Sequence, residues 1–429
     1  MRGAVVGDGR GGRMREVAVV GAGQSGLHLA LALQSAGHRV TVVAERTPQQ
    51  VRAGRVLSTQ AMFGPARALE RAAGLALWDG LAPDTGALYV VVGVDGQPAL
   101  TFDAAPEESA HSVDQRLKTA AWLELFEERG GRVEYRRAGA EDVARLAERN
   151  DLTVVAAGRG PLGGLFARDA ARSRFDAPQR TLAAVYLHGV GPAADLGPEP
   201  GDPARIHIVA GAGELVLQPG VTLSGPCMIL LWEAVPGGPL DVFGDDPDPK
   251  ELLARTRELI RRHVPWEYEA LAAAEPTDGG ASLVGAITPT VRHPVAHPGG
   301  AAGPAVLGMA DTLVLNDPIT AQGANNATRC AARYTAAVTE RGELPFDEPW
   351  MRELFAAYWG EARHTVDFTT TMLGPLPDHI GLAFAQAAAH PAVAARLAQT
   401  YADPTDFPRW LGSPEATMRY LESLPGFPS

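Results

Sequence analysis

The sequence predicts an α/β protein: a parallel sheet opened by a dinucleotide-binding turn, an inserted antiparallel β layer, and a helical C-terminal region. Three observations predict it. A short apolar run, VAVV at 17–20, is followed by the glycine-rich turn GAGQSG and then by the helical stretch LHLALALQSAG. A second apolar run, DLTVVAAG at 151–158, has no polar alternation, as expected of a parallel strand covered on both faces. Between 181 and 235, three β-rich runs are separated by Gly and Pro, which suggests antiparallel strands.

The first unit is a strand, a glycine turn, a helix stopped at Gly37, and a strand from Arg39 to Arg46. From about Tyr89 the pattern becomes less regular. A helix is expected over 115–131, leading to the strand RVEYRRA. TLAAVYLHGV, RIHIVAGAGELVLQPG and CMILLWEAV form the β layer, and DDPDPKELLARTRELIRRHVP returns to helix with Asp at its start. AVLGMA is one more strand, and after Pro345 the chain reads as mostly helical. The expected organisation is a glycine-rich leader at 1–14, with Met14 as an alternative start. A discontinuous cofactor domain follows at 15–80, 110–180 and 285–345, a substrate domain at 81–109 and 181–284, and helices from 346 to 429.

The chain has 429 residues and a net charge of −12, from 38 basic and 50 acidic residues. That balance argues against a nucleic-acid partner and against an anionic membrane surface. Cys227 and Cys330 are the two cysteines, without metal-type spacing, so neither a disulfide framework nor a metal site is expected. No apolar run approaches the roughly 20 residues of a membrane span, and the N-terminus lacks a signal peptide's apolar stretch, so the cytoplasm is the expected compartment. His293 and His297 have zinc-like spacing, but Pro294 and Pro298 oppose the helix that spacing needs.

Two segments carry chemistry. Gly21, Gly23 and Gly26 have the G-x-G-x-x-G spacing directly after a strand and at a helix start. The first glycine makes the turn, the second lets backbone approach a diphosphate, and the third lets helix and strand pack closely. Glu45 ends the second strand, nineteen positions after Gly26, where a carboxylate can accept ribose hydroxyls. That favours FAD or NAD over NADP. The second segment is GMADTLVLNDPITAQGANNATRC, from Gly308. It places Asp311 at the end of a buried strand, a turn at Asn316-Asp317-Pro318, and Gln322-Gly323-Ala324-Asn325 at a helix mouth. Such a mouth offers unpaired N–H groups and a positive dipole to an anion. A reduced flavin is such an anion, whereas NAD has no comparable need, so FAD is the expected cofactor.

With both segments in hand, the chain resembles the glutathione-reductase-type FAD fold of flavoprotein hydroxylases. More closely, it is similar to the oxygenase component of the two-component styrene and indole monooxygenases, which are FAD-dependent epoxidases. The motifs that carry the likeness are VGAGQSGLHLAL, TVVAER, GRVLST, VDQRL, ERGGRV, DLTVVAAG, FDAPQR, GELVLQPG, ITP, NDPITAQGAN and FPRWLGSPE, in order along most of the chain. The resemblance implies FAD contacts at Gly21, Gly23, Gly26, Glu45, Arg46, Arg55, Arg116, Asp311, Gly323, Ala324 and Asn325. It places Ser58, Pro289, Pro318 and the loop from Ile319 to Gln322 beside the flavin as candidate catalytic-pocket residues.

Single-component hydroxylases carry an Asp-Gly pair after the buried strand. Ala157-Gly158 stands there in this chain. The resemblance therefore implies reduced FAD delivered by a separate flavin reductase, a C4a flavin peroxide formed with O2, and oxygen transfer to a small hydrophobic or aromatic substrate. It also implies a possible homodimer. Ser and Val replace the asparagine and aromatics of the styrene enzymes at Ser58 and in LYVVVGVDG, which leaves the substrate open. A self-sufficient NAD(P)H-dependent hydroxylase and a non-catalytic flavin-binding subunit remain alternatives. A halogenase is disfavoured by the absence of that family's paired-tryptophan motif and active-site lysine.

Overall fold

The computed structural model describes residues 14–192, 203–425 and 427, so the leader expected at 1–14 lies, apart from Met14, outside the described residues. The elements used below are, in chain order, β1 (Glu16–Val20), α1 (Gln24–Ser35), β2 (Arg39–Ala44), α2 (Gly64–Ala72), β3 (Leu88–Val94), β4 (Gln97–Ala104) and α3 (Gln115–Glu128). Next come β5 (Arg132–Tyr135), β6 (Leu152–Val155), β7 (Thr181–His188), β8 (Ala204–Val209), β9 (Gly213–Thr222), β10 (Gly225–Ala234), α4 (Pro249–His263) and β11 (Ser282–Ala286). The rest are β12 (Val295–Ala296), β13 (Val306–Gly308), α5 (Gly323–Glu340), α6 (Glu348–Leu373), α7 (Asp378–Ala387) and α8 (Pro391–Ala402), with short helices beyond to Glu422.

The first sheet has the order β12-β13-β6-β1-β2-β5. Every neighbouring pair is parallel except the edge pair β12/β13. Val17, Val19, Val154 and Leu307 are fully buried, because helices cover both faces of these central strands. The carboxyl ends of β1, β6 and β13 lie side by side. Ala156 N–H donates to Val20 O (2.8 Å) and Met309 N–H to Val155 O (3.1 Å). The turns after all three strands therefore share one rim, where open α/β sheets collect ligands.

The second sheet has eight strands, with β7, β10, β9, β8, β3 and β4 adjacent in that order and β11 beside β7. It is antiparallel but for one ladder: β3 and β8 run parallel. The irregular pattern read from Tyr89 is in fact the β3/β4 hairpin. Its turn residues Asp95 (φ 51°) and Gly96 (φ 71°) both sit in the left-handed region that tight hairpins demand. The run RIHIVAGAGELVLQPG likewise divides into β8 and β9.

The period of two on this sheet decides what each face does. On β10, Leu230 and Trp232 are buried against α4, whereas Ile229, Leu231 and Glu233 face the other way. On that opposite side, Val90, Phe102 and Ile206 pack with Phe368, Phe384 and Leu397 of the C-terminal helices. The sheet is thus clamped between α4 and the C-terminal helices.

Candidate functional site

The glycine turn has the geometry its spacing predicts. Gly21 has φ +119°, and a Cβ on it would stand 2.2 Å from Ala156 O. A Cβ on Gly26 would stand 2.1 Å from Gly21 O, so α1 can approach β1 only with glycine there. Gly23 differs, because a Cβ on it would meet nothing within 4 Å. Nothing within the chain demands glycine there, and the open space leaves room for a bound diphosphate. Gly23 also starts α1 without a side-chain cap, leaving the first-turn N–H groups to an anion.

The second segment reaches the same place. Gln24, the first residue of α1, donates from Nε2 to Thr328 Oγ1 on α5 (3.0 Å), across 304 residues of sequence. The same Nε2 donates to Glu70 Oε1 on α2 (2.6 Å), which also accepts from Lys118 Nζ on α3 (2.6 Å). Gln115 adds a hydrogen bond to Gln24 Oε1 (3.4 Å). Four helices are therefore pinned at one point by side chains. Burial makes the pair costly to break: Lys118 and Glu70 are about 1% exposed, and burial lowers the lysine's pKa against the opposing pull of Glu70. Burial also holds His28 at about 4 and His111 at about 3, neutral at physiological pH, with Lys118 adding to both shifts and Arg67 to the second.

Asp311 follows β13 in a short 3-10 turn, and Ala310 before it has φ 47°. Among the described residues the Asp311 carboxylate has no hydrogen-bond or ion-pair partner within the chain, and burial raises its pKa to about 6. Helix α5 begins at Gly323 with no side-chain cap, after Ala321 in the left-handed conformation (φ 55°). The N–H groups of Gly323 and Ala324 have no partner among the described residues. Two non-glycine left-handed residues flanking one motif are strained positions of the kind that gather at ligand sites.

Several expected contacts have other occupations. Arg116 directs its guanidinium at Asp114 (2.8 and 3.0 Å), Asp278 (2.9 and 3.0 Å), Thr222 and Gly54 O, so all five N–H donors are spent inside the protein. It joins the two sheets rather than offering donors to a phosphate. Arg55 is committed to Asp246 (2.6 and 2.8 Å) and to Ser282. Asn325 is fully buried and ties α5 to the preceding loops: it accepts from Phe63 N–H (2.9 Å) and donates to Ala61 O (2.8 Å) and Ala321 O (2.9 Å). Gln322 donates to Tyr401 O (2.6 Å) and Thr320 O (3.0 Å). Glu45 remains exposed at the end of β2, 3.8 Å from Arg137, and Arg46 beside it is exposed and unpaired among the described residues.

Next to this rim lies a largely apolar cavity. Ile206, Ile229 and Leu231 of the second sheet form one wall, Ala61 and Phe63 another, and Pro318, Ile319 and Ala321 the side toward α5. Tyr401 of α8 contributes to the same enclosure. Of the pocket residues expected from sequence, Pro318, Ile319 and Ala321 line the cavity, whereas Gln322 does not. Ser58 does not: its hydroxyl donates to Gln60 Oε1 (2.6 Å) while Thr59 lines the wall. Pro289 does not line it either: it is buried one residue before the Thr290-Val291 ladder with Val314-Leu315. Thr59, Glu233, Tyr401 and the Gln24–Glu70–Lys118 cluster were absent from the sequence reading. For the cluster one signal existed, a lysine in a helix beside the cofactor turn in a chain with only two lysines.

The protein is similar to characterised enzymes across most of its length. Residues 158–270 match the family model of the styrene monooxygenase A substrate-binding domain. Styrene monooxygenase StyA of Pseudomonas fluorescens is 30% identical over 323 residues, covering 74% of this chain and 75% of the relative. The chain belongs to the styrene monooxygenase family. A second StyA, from a Pseudomonas species, is 29% identical over 385 residues, covering 87% and 89% of the two chains.

Among solved structures, a flavin-dependent brominase, the Bmp2 triple mutant, superposes with TM-score 0.66 at 15% identity, covering 95% of this chain and 99% of that one. A flavoprotein/dehydrogenase from Cytophaga hutchinsonii gives 0.65 at 13% identity, with 92% and 94% coverage. At such identities these two share the fold alone. This styrene monooxygenase family member is a monooxygenase, and the expected cofactor is FAD. The open space before Gly23, the two uncapped helix starts and the unpartnered Asp311 fit that group. No helix of the described residues is long and apolar enough to cross a membrane.

Proposed function

We propose that the protein is the oxygenase component of a two-component system: it receives reduced FAD from a separate flavin reductase and adds one oxygen atom from O2 to a small, largely apolar substrate. The observation that carries this reading is the cavity beside the second FAD segment. It is apolar, it is bounded by Pro318, Ile319 and Ala321 immediately before α5, and it adjoins the rim where α1 and α5 start. Bound FAD, once reduced, supplies the oxygen-activating chemistry. The chain's own residues bind, orient and exclude water.

In this reading the N–H groups at the start of α1 hold the diphosphate, Glu45 accepts from the adenosine ribose, and Asp311 accepts from the ribityl chain. The N–H groups of Gly323 and Ala324 face the electron-rich edge of the reduced ring. The aliphatic walls from the second sheet keep the reacting end dry. The Ala157-Gly158 turn, which leaves the strand end without the carboxylate that single-component hydroxylases carry, supports delivery of reduced flavin from outside. The names of the StyA relatives support an alkene as the group oxidised.

The test is NAD(P)H consumption by the isolated protein with FAD, with and without a flavin reductase. The expected result is negligible oxidation alone and oxygenated product once the reductase is added. Rapid, substrate-stimulated NAD(P)H oxidation by the isolated protein would reject the two-component reading in favour of a self-sufficient hydroxylase.

A further inference from the structure

On the wall of the apolar cavity stands one carboxyl group, Glu233 of β10, which is 1% exposed. No N–H group and no Ser, Thr or Tyr hydroxyl of the described residues donates to it, and Oε2 is a buried atom without such a partner. Its neighbour is Asp317, from the turn before Pro318, which is fully buried and has Oδ2 in the same condition. Asp317 Oδ1 is fixed by the Ile319 N–H (3.1 Å). The other charged groups near the pair are Arg180 and Glu214, and Tyr401 lies close by. Arg180 does not neutralise the pair, because it chelates Glu214 (2.8 and 3.0 Å) and donates to the carbonyls of Gln179 and Leu373.

Two buried carboxyl oxygens with no donor between them come to rest only by sharing a proton. Burial, with Asp317 and Glu214 nearby, keeps Glu233 protonated well above the usual carboxylate range. The Glu233 hydroxyl then donates to Asp317, and its remaining oxygen is an acceptor on an apolar wall with nothing from the chain to satisfy it. An unmet buried acceptor is costly, and a ligand that supplies the donor removes that cost.

Resting on the oxygenase reading of this same cavity, we propose that Glu233, held by Asp317, is a specificity-determining acceptor, and that the preferred substrate is a small apolar molecule with one O–H or N–H group rather than a plain hydrocarbon. Thr59 and Tyr401 bring hydroxyls to the same wall and the other named residues offer carbon, but Glu233 is the one acid, placed where it can hold a single polar end.

The test is binding of three matched aryl alkenes, with methyl, hydroxyl or amino at one ring position, to the isolated protein with oxidised FAD. Calorimetry reads the affinity and a melting curve confirms that each variant is folded. Wild type should bind the hydroxyl and amino ligands about tenfold more tightly than the methyl ligand. Glu233→Gln should keep most of that preference, because its amide N–H donates to Asp317 and leaves its oxygen to the ligand. Glu233→Leu should abolish it, with Glu233→Met as the replacement if Leu does not fold.

Equal affinity of wild type for all three, or an undiminished preference in the leucine or methionine variant, would overturn the proposal. Because no reductase enters the assay, discrimination without reductase-supported turnover would reject the two-component function and leave this inference standing. Turnover without discrimination would do the reverse.

Discussion

The cofactor rim and the substrate cavity are neighbours built in opposite ways. The rim is made of backbone: glycines where a Cβ cannot fit, two uncapped helix starts, and alanines held at positive φ. The cavity is made of side chains drawn from β8, β9, β10, the loop at 59–63, the turn at 318–321 and α8. Backbone geometry leaves a short, local signature in sequence because few residues can adopt it. A side-chain wall assembled from remote elements leaves almost none.

The largest effect that contrast predicts is at Gly26. Gly26→Val puts carbon where Gly21 O already stands, at 2.1 Å, and should leave no protein able to retain FAD, read by flavin fluorescence after gel filtration. A folded variant with wild-type FAD affinity would mean that the tight α1 approach is unnecessary. Next is the buried ion pair under the rim. Glu70→Ala strands Lys118 and should cost about 3–5 kcal/mol in denaturant unfolding, whereas Glu70→Leu with Lys118→Met should recover most of it.

At Gly23 the two halves of the rim argument separate. Gly23→Ala meets nothing within 4 Å, so unfolding should change by less than about 1 kcal/mol, while FAD affinity falls about tenfold or more. Unchanged affinity would deny the diphosphate its place there.

A pH comparison sharpens the account of the layer beneath. His28 has a folded pKa of about 4 against an ordinary 6.5. Its contribution to stability is therefore complete above pH 6.5 and is lost as pH falls through 4. The full loss is on the order of 3 kcal/mol. Relative to wild type, His28→Gln should gain stability between pH 7 and pH 4.5, and a constant difference across that range would contradict the shift. The smallest effect is expected at Arg55. Its pair with Asp246 is half-exposed on both sides, so Arg55→Ala should alter unfolding by no more than about 1 kcal/mol.

Legibility from sequence follows the same division. The parallel sheet, the glycine turn and the α5 start were readable because apolar runs without alternation and glycine spacing are local. The β3/β4 hairpin is hard to read although Asp95-Gly96 is a strong two-residue turn signal, because β3, LYVVVGV, carries apolar residues on both faces and shows no alternation. Arg116 and Asn325 show the limit for single residues. Each sits in a motif read as a cofactor contact, yet Arg116 is captured by Asp114 and Asp278, and Asn325 by the backbone at 61 and 321. No local pattern announces a partner 162 residues away. Glu233 was invisible for a simpler reason: one acid in CMILLWEAV gives no sign of which face it takes until Trp232 is fixed against α4.

The central claim is that the starts of α1 and α5 grip one FAD from two remote parts of the chain. A crystal structure of the protein soaked with oxidised FAD tests it most directly. The account predicts the diphosphate against the N–H groups after Gly23 and the flavin ring against residues 318–324 at the cavity mouth. FAD bound elsewhere, or a ring turned away from α5, would contradict it.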